Sequence, residues 1–216
     1  MKPYLFILLF FCFLPMNSQN CNCLKDTMDG MVESKDPPNN TFNFKNGNNI
    51  ILCGYEDKID NVLYYSEFIL QECRETEPID FWDATLMCRV FMENEVLKIE
   101  QFCNLPVGKN RDLVFTSWYV EELSYKDGKL NRLHFTKDIR RYSKEEINQT
   151  LTEYTLAVRE GLLENSENLV AKLFIAALSG NKKANEYFMA FPNTFLTDGG
   201  LSETYKEFLA MYELLQ

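Results

Sequence analysis

Cys21 and Cys23 are the residues whose type and spacing most directly suggest chemistry in this chain. Two thiols separated by one residue can clip a metal ion, act as a redox pair, or begin two separate disulfides. A structural zinc site needs four Cys or His ligands, and the only histidine is His134. A redox pair typically has two residues between its cysteines, a spacing that does not occur here. The pattern therefore favours disulfides, with thiol chemistry and metal handling as alternatives.

The first residues indicate the compartment in which these thiols would react. Lys2, the apolar run over residues 4–14 and the polar break after it are typical of a secretory signal peptide, which we place at residues 1–18. Its apolar core is too short to cross a bilayer as a helix. We therefore predict a secreted or periplasmic protein with no stable membrane insertion after the signal is cleaved.

Removal of the leader leaves six of the seven cysteines, because Cys12 lies within it. An even number of cysteines in an oxidising compartment predicts disulfides. Cys21 and Cys23 are too close to bridge each other, so each should reach a different distant cysteine, while the full pairing stays open. The predicted disulfide residues are Cys21, Cys23, Cys53, Cys73, Cys88 and Cys103.

Two short stretches, 79–83 (IDFWD) and 118–122 (WYVEE), place aromatic rings beside carboxylates. Glycosidases use this combination, because rings stack on sugars while paired carboxyl groups protonate and attack the glycosidic bond. On a strand, alternation puts neighbouring residues on opposite faces, which would separate Glu121 from Glu122. A hydrolase would need its acids to converge in one cleft. The acids in question are Asp80, Asp83, Glu121 and Glu122, and the residues we single out for binding are Trp82, Trp118, Glu121 and Glu122.

Other signatures of chemistry are weak. His134 alternates with apolar neighbours on a predicted strand, and no nucleophile motif surrounds it, so we interpret it as a sheet-face histidine. Glycine-rich phosphate loops and calcium loops do not occur in the sequence. We therefore predict no cofactor.

Charge restricts the class of partner. Residues 19–103 contain 7 Lys or Arg against 16 Asp or Glu, a net of −9, and the whole chain carries −10. Nucleic acid would be repelled, because phosphate binding depends on clustered Lys and Arg. Another protein is the expected partner.

The elements that must position these residues follow from periodicity. Turn-forming residues make 19–48 an N-terminal anchor and linker, in which residues 24–34 could form a short helix. Alternating segments then predict about six antiparallel strands in three hairpins over residues 49–137, with Asp127-Gly128 as the strongest turn. The predicted strands are 49–55, 61–73, 84–92, 95–103, 112–125 and 129–135.

The apolar period changes to that of helices after residue 137. Ser143 and Glu146 fit a capping box at a helix start, and Gly180 fits a helix end. About four helices over residues 143–216 are expected, so the fold class is α+β, with the strands first. The leading hypothesis is an exported, non-catalytic binding protein. A secreted carbohydrate-type hydrolase and a thiolate or acidic metal-handling protein are the alternatives.

Overall fold

The computed structural model describes residues 21–27, 30–73, 75–83, 86–161, 166–195 and 199–216. The predicted signal peptide, residues 1–18, lies outside the described residues, as does the proposed cleavage position after it. The described part confirms the α+β class, since antiparallel sheets precede a group of C-terminal helices.

The described residues form ten strands, rather than about six. They are β1 Leu24–Thr27, β2 Gly30–Glu33, β3 Asn40–Asn43, β4 Asn49–Ile59, β5 Val62–Glu72, β6 Pro78–Trp82, β7 Met87–Glu93, β8 Val96–Leu105, β9 Val114–Lys126 and β10 Lys129–Thr136.

The three predicted hairpins are present as β4–β5, β7–β8 and β9–β10. Each is closed by a two-residue turn in which both residues have positive φ, at Asp60-Asn61, Asn94-Glu95 and Asp127-Gly128. Such turns match the right-handed twist of the flanking strands. The predicted strands 49–55 and 61–73 leave residues 56–60 between them as the first turn. The turn lies later in the structure, because β4 continues to Ile59.

The N-terminal segment was predicted wrongly. Residues 24–34 contain the two strands of a small separate sheet, β1 and β2, and not a helix. Long-range contacts explain the difference: Cys23 is bonded to Cys53, and the Leu24 amide donates to the Gln71 side chain at 3.0 Å. These contacts hold the segment extended against the larger sheet, which overrides its weak local preference.

Strands β3 and β6 were also missed. β3 lies within the predicted linker, where Phe42 is buried and pairs with Ile50 of β4. β6 pairs with β5, so that Trp82 lies opposite Phe68. Both strands are short and bounded by turn residues, so their pattern of alternation covers too few positions to be recognised from the sequence.

The eight-stranded sheet has the order β10-β9-β8-β7-β5-β4-β3, with β6 on β5. The sheet curls so that its two ends approach each other. The ring of Phe44, which directly follows β3, packs edge-on against Tyr125 of β9, with 4.9 Å between the ring centroids. The enclosed side chains form an apolar cluster that we call the inner core. Its buried members are Phe42, Phe44, Ile50, Leu52, Tyr65, Phe68, Leu70, Trp82, Cys88, Val90, Leu97, Ile99 and Leu123.

Five helices follow in the part of the chain that the structure describes, one more than expected, because residues 191–194 form a separate turn of helix. They are α1 Lys144–Glu160, α2 Ser166–Leu178, α3 Lys182–Met189, α4 Phe191–Thr194 and α5 Gly199–Leu215.

The helices begin and end where local signals indicate. Ser143 and Glu146 form the predicted capping box at the start of α1, satisfying amides that would otherwise lack partners. The apolar helix α2 is central and contacts α1, α3 and α5. Two sheet residues, Leu105 and Trp118, are buried in the same cluster as α2. The helices therefore share a core with the sheet, and we call it the helical core.

Gly54 allows β4 and β5 to approach each other at a register shift between Gly54 and Glu56. A Cβ at this position would lie 2.2 Å from the Glu67 carbonyl oxygen and 2.5 Å from the Phe68 Cα, so the backbone would have to move. We expect Gly54→Ala to lower the free energy of unfolding by about 2 kcal/mol, measured by urea denaturation. The matched control is Gly200→Ala, where the nearest atom is the end of the Glu167 side chain at 3.7 Å. Equal stability of the two variants would contradict the tight approach.

Candidate functional site

Arg132 is the point at which several of the predicted site residues meet. Asp80 and Trp82 lie on β6, Glu121 on β9 and Arg132 on β10, and pairing register directs all four toward the interior of the curled sheet. The Arg132 guanidinium forms ion pairs with both Asp80 and Glu121, and its central carbon lies 5.8 Å from the centre of the Trp82 ring. Sequence reasoning found the acids and the tryptophan but not the arginine that joins them.

The electrostatics of this cluster are those of a closed ion-pair network. Burial alone would lower the pKa of Arg132, but its hydrogen bonds to the Glu121 and Asp80 carboxylates outweigh burial and raise the pKa. The guanidinium thus stays charged and neutralises acids on two strands. Glu121 is only 3 % exposed, so the guanidinium is packed against a buried carboxylate. The cluster ties β6 to β9 and β10.

The Trp82 ring is covered and does not form an open platform. It is 9 % exposed and stacks on the Phe68 ring at 4.8 Å between centroids, with only 2° between the ring planes. A sugar-binding tryptophan must present a ring face to its ligand, as the hydrolase alternative requires. This ring is instead part of the inner core.

The other predicted residues lie elsewhere. Glu122 faces the opposite side of the sheet from Glu121, and its carboxylate lies 3.4 Å from the Lys98 ammonium. Trp118 lies at the register shift between β8 and β9 and is buried in the helical core. Asp83 lines a small cavity of about 200 Å³ together with Trp82 and Cys88. The four carboxylates therefore do not share one cleft.

His134 lies on the exposed strand β10 opposite Glu121, and its ring lies 6.0 Å from that of Tyr119. This is the sheet-face position that alternation predicts.

The cysteines confirm the disulfide interpretation for four of the six residues. Cys21 is bonded to Cys73 and Cys23 to Cys53, so the two neighbours belong to separate disulfides, as predicted. Bonded sulfurs are not available as thiolates, so Cys21 and Cys23 do not offer the thiolate ligands that the metal-handling alternative included.

Cys88 and Cys103 correct the prediction, because both are free thiols. Cys88 lies opposite Gln101 on the paired strand, so Cys103 is its diagonal neighbour. Diagonal positions are separated by about 7–8 Å, which is more than a disulfide spans without movement of the backbone. Cys88 packs in the inner core and Cys103 against the helical core. Burial is the main cause that raises the pKa of each thiol to about 12, so neither is reactive at neutral pH.

We expect the chain from Gln19 onward to take up two alkyl groups per molecule when it is unfolded and alkylated without a reductant. After reduction it should take up six, as intact mass would show. In the folded protein, labelling should be slow, because Cys88 is buried, Cys103 is partly buried, and burial raises the pKa of both thiols. Uptake of no label by the unfolded, unreduced protein would indicate a third disulfide and contradict this arrangement.

A cleft of about 550 Å³ lies on the disulfide-bonded half beside the N-terminal hairpin. Sequence reasoning missed it, because its walls come from segments far apart in the chain. Its lining residues are Cys23, Leu24, Lys25, Asp26, Asp36, Pro37, Asn39, Cys53, Gly54, Tyr55, Glu67, Phe68, Ile69 and Phe81. We call it the hairpin cleft.

The walls of the hairpin cleft are fixed by covalent and polar contacts. The Cys23–Cys53 disulfide lines the cleft and joins the N-terminal segment to β4, with 5.7 Å between the two Cα atoms. The Gln71 side chain accepts from the Leu24 amide and donates to the Asn22 carbonyl at 3.1 Å. A site held in this way loses little conformational entropy when a ligand binds.

Aromatic and acidic side chains surround the opening. Tyr55 is 72 % exposed and Phe81 is 48 % exposed, and both line the cleft. Among the described lining residues, the carboxylates are Asp26, Asp36 and Glu67, and the one cation is Lys25. Lys25 hydrogen-bonds to Asp36 and lowers the pKa of that carboxyl group. The cleft is therefore acidic with exposed apolar surface.

Comparison of the chain with models of known families, with curated proteins and with solved structures finds no match. In the described part of the chain, no helix combines the length and apolar character that a membrane crossing requires.

Proposed function

We propose that this chain is an exported, non-catalytic binding protein whose ligand is another protein. The hairpin cleft is the observation that supports this proposal best. It is a concave site of about 550 Å³, and the Cys23–Cys53 disulfide joins two of its walls covalently. Exposed aromatic side chains are a feature of protein interfaces, where they act as anchors that fill pockets on the partner.

Export is part of the proposal and rests on two features. The leader has the pattern of a secretory signal, and the two disulfides are compatible with an oxidising compartment. The protein would therefore act in the periplasm or outside the cell. The acidic charge of the first half supports a protein ligand over nucleic acid, because phosphates would be repelled.

The test compares two phenylalanines of similar exposure, Phe81 at 48 % in the hairpin cleft and Phe135 at 46 % on β10. Immobilised wild-type protein, Phe81→Ala and Phe135→Ala are incubated with envelope and culture-medium fractions, and the retained proteins are quantified by mass spectrometry. We expect a partner that Phe81→Ala retains about tenfold less well, as loss of an interface anchor predicts, and that Phe135→Ala retains normally. Equal retention by all three proteins, or retention of nothing above background, would overturn the proposal.

A further inference from the structure

The open edge of β4 offers main-chain groups beside the hairpin cleft. β3 pairs with β4 only over residues 49–52, and among the described residues no other strand pairs with that edge of β4 as far as Ile59. The Asn39 side chain accepts from the Gly54 amide at 2.8 Å, so the covered part of the edge ends there. Residues 54–59 are exposed throughout. An exposed edge of this kind is a template for another strand.

The register of the β4–β5 hairpin determines which groups are available. The two-residue turn at Asp60-Asn61 leaves Ile59 and Val62 as a hydrogen-bonded pair. Bonded and non-bonded pairs alternate along an antiparallel ladder, so the amide and carbonyl groups of Glu56 and Lys58 point away from β5. These two residues therefore present main-chain hydrogen-bonding groups to an incoming segment.

Charge selects the segment that would bind. The edge over residues 55–60 and the hairpin cleft together carry six carboxylates against two lysines, Lys25 and Lys58. A second copy of this chain would bring an identical acidic edge, and the like charges would repel. The complementary segment is cationic, with apolar side chains that can reach Tyr55 and Phe81. The carboxylates are Asp26, Asp36, Glu56, Asp57, Asp60 and Glu67.

We propose that the open edge of β4 and the hairpin cleft bind an extended segment of a partner protein in which Lys or Arg alternates with apolar residues. The segment adds a strand to β4, and its apolar side chains occupy the cleft. This inference rests on the proposed function, because it names the chemistry of the partner at the same cleft. Main-chain pairing supplies affinity, and the alternation of charged and apolar side chains supplies specificity.

The probe is a fluorescein-labelled peptide in which lysine alternates with valine and one central phenylalanine. Binding to the full chain is followed by fluorescence anisotropy, and a peptide with glutamate in place of lysine is the control. We expect the lysine peptide to bind, to weaken as salt is added, and to bind much more tightly than the glutamate peptide. Equal binding of the two peptides, or no binding of either, would overturn the inference.

Lys58 provides a matched pair of variants. Lys58→Pro removes the outward amide donor without breaking the ladder to β5, because the proposed donor does not face that strand. Lys58→Gln removes the same charge and keeps the amide. We expect Lys58→Pro to bind the lysine peptide about tenfold more weakly than Lys58→Gln, as loss of one main-chain hydrogen bond predicts. Equal affinity of these two variants would contradict strand addition.

Amide exchange on the wild-type protein gives a second readout that does not depend on how a variant folds. Peptide addition should slow exchange at Glu56 and Lys58, while Ile59, already bonded to Val62, changes little. Unchanged exchange at Glu56 and Lys58 under saturating peptide overturns the strand-addition inference. The proposed function would still stand if a natural partner were retained through Phe81, so the two failures are distinguishable.

Discussion

The variant Cys23→Ala/Cys53→Ala is expected to lose about 3–4 kcal/mol of unfolding free energy, the effect of opening a loop closed by residues 30 apart. The disulfide restricts the unfolded chain, and in the folded protein it attaches the N-terminal segment to β4. Guanidinium denaturation followed by tryptophan fluorescence measures the change, because Trp82 and Trp118 are both buried.

The control for this variant is Cys88→Ala/Cys103→Ala, which removes one buried and one partly buried thiol but no covalent link. It should lose only the unfolding free energy that the packing of two small side chains contributes. The difference in unfolding free energy between this variant and wild type should be the same with and without a reductant. Wild-type protein in reductant should lose at least as much stability as the Cys23→Ala/Cys53→Ala variant, since both disulfides open. A stability of that variant within about 0.5 kcal/mol of wild type would contradict the structural role of the disulfide.

Arg132→Met is expected to lower the free energy of unfolding by about 3 kcal/mol, the lower end of the cost of leaving a buried charge without its partner. The lower end applies because Arg132 is itself partly exposed and water reaches that side of the network. Glu121 would keep its buried carboxylate but lose the guanidinium that neutralises it. Urea denaturation at neutral pH measures the loss.

A second substitution separates charge from packing. Glu121→Gln in the Arg132→Met background should recover part of the lost stability, because an amide is less costly to bury than an unpaired carboxylate. Lys129→Met on the same strand removes an exposed cation that lies at the end of the β9–β10 hairpin, and it should change stability by less than about 0.5 kcal/mol. If the double variant is no more stable than Arg132→Met, the ion-pair network is not what stabilises this junction.

The structure also explains why the two stretches that combine tryptophan with carboxylates have different environments. Trp82 lies opposite Phe68 of β5 and packs in the inner core. Trp118 lies at the register shift between β8 and β9 and packs in the helical core. Period-2 alternation correctly separated Glu121 from Glu122. It could not identify Arg132 as the partner of Asp80, because that contact joins residues 52 apart in sequence. The contact of Arg132 with Glu121 lies within the β9–β10 hairpin, where the two residues are diagonal neighbours.

Local signals in the sequence were sufficient for the α+β order, for the three hairpins and for the start of α1. Two-residue turns, a capping box and alternating apolar residues act over a few neighbouring positions, so they can be recognised from the sequence alone. The prediction that Cys21 and Cys23 take different partners was of the same kind, since it followed from their separation by one residue.

Only the tertiary structure decided which cysteines pair, where the N-terminal segment lies and how the hairpin cleft forms. Cys88 and Cys103 stay apart because strand register makes them diagonal neighbours, and β1 and β2 form because a disulfide and Gln71 hold their segment against β4 and β5. The cleft combines residues from the N-terminal segment, β4, β5 and β6. Such features depend on contacts between distant parts of the chain, whose free energy outweighs local preference and leaves little trace in any short stretch of sequence.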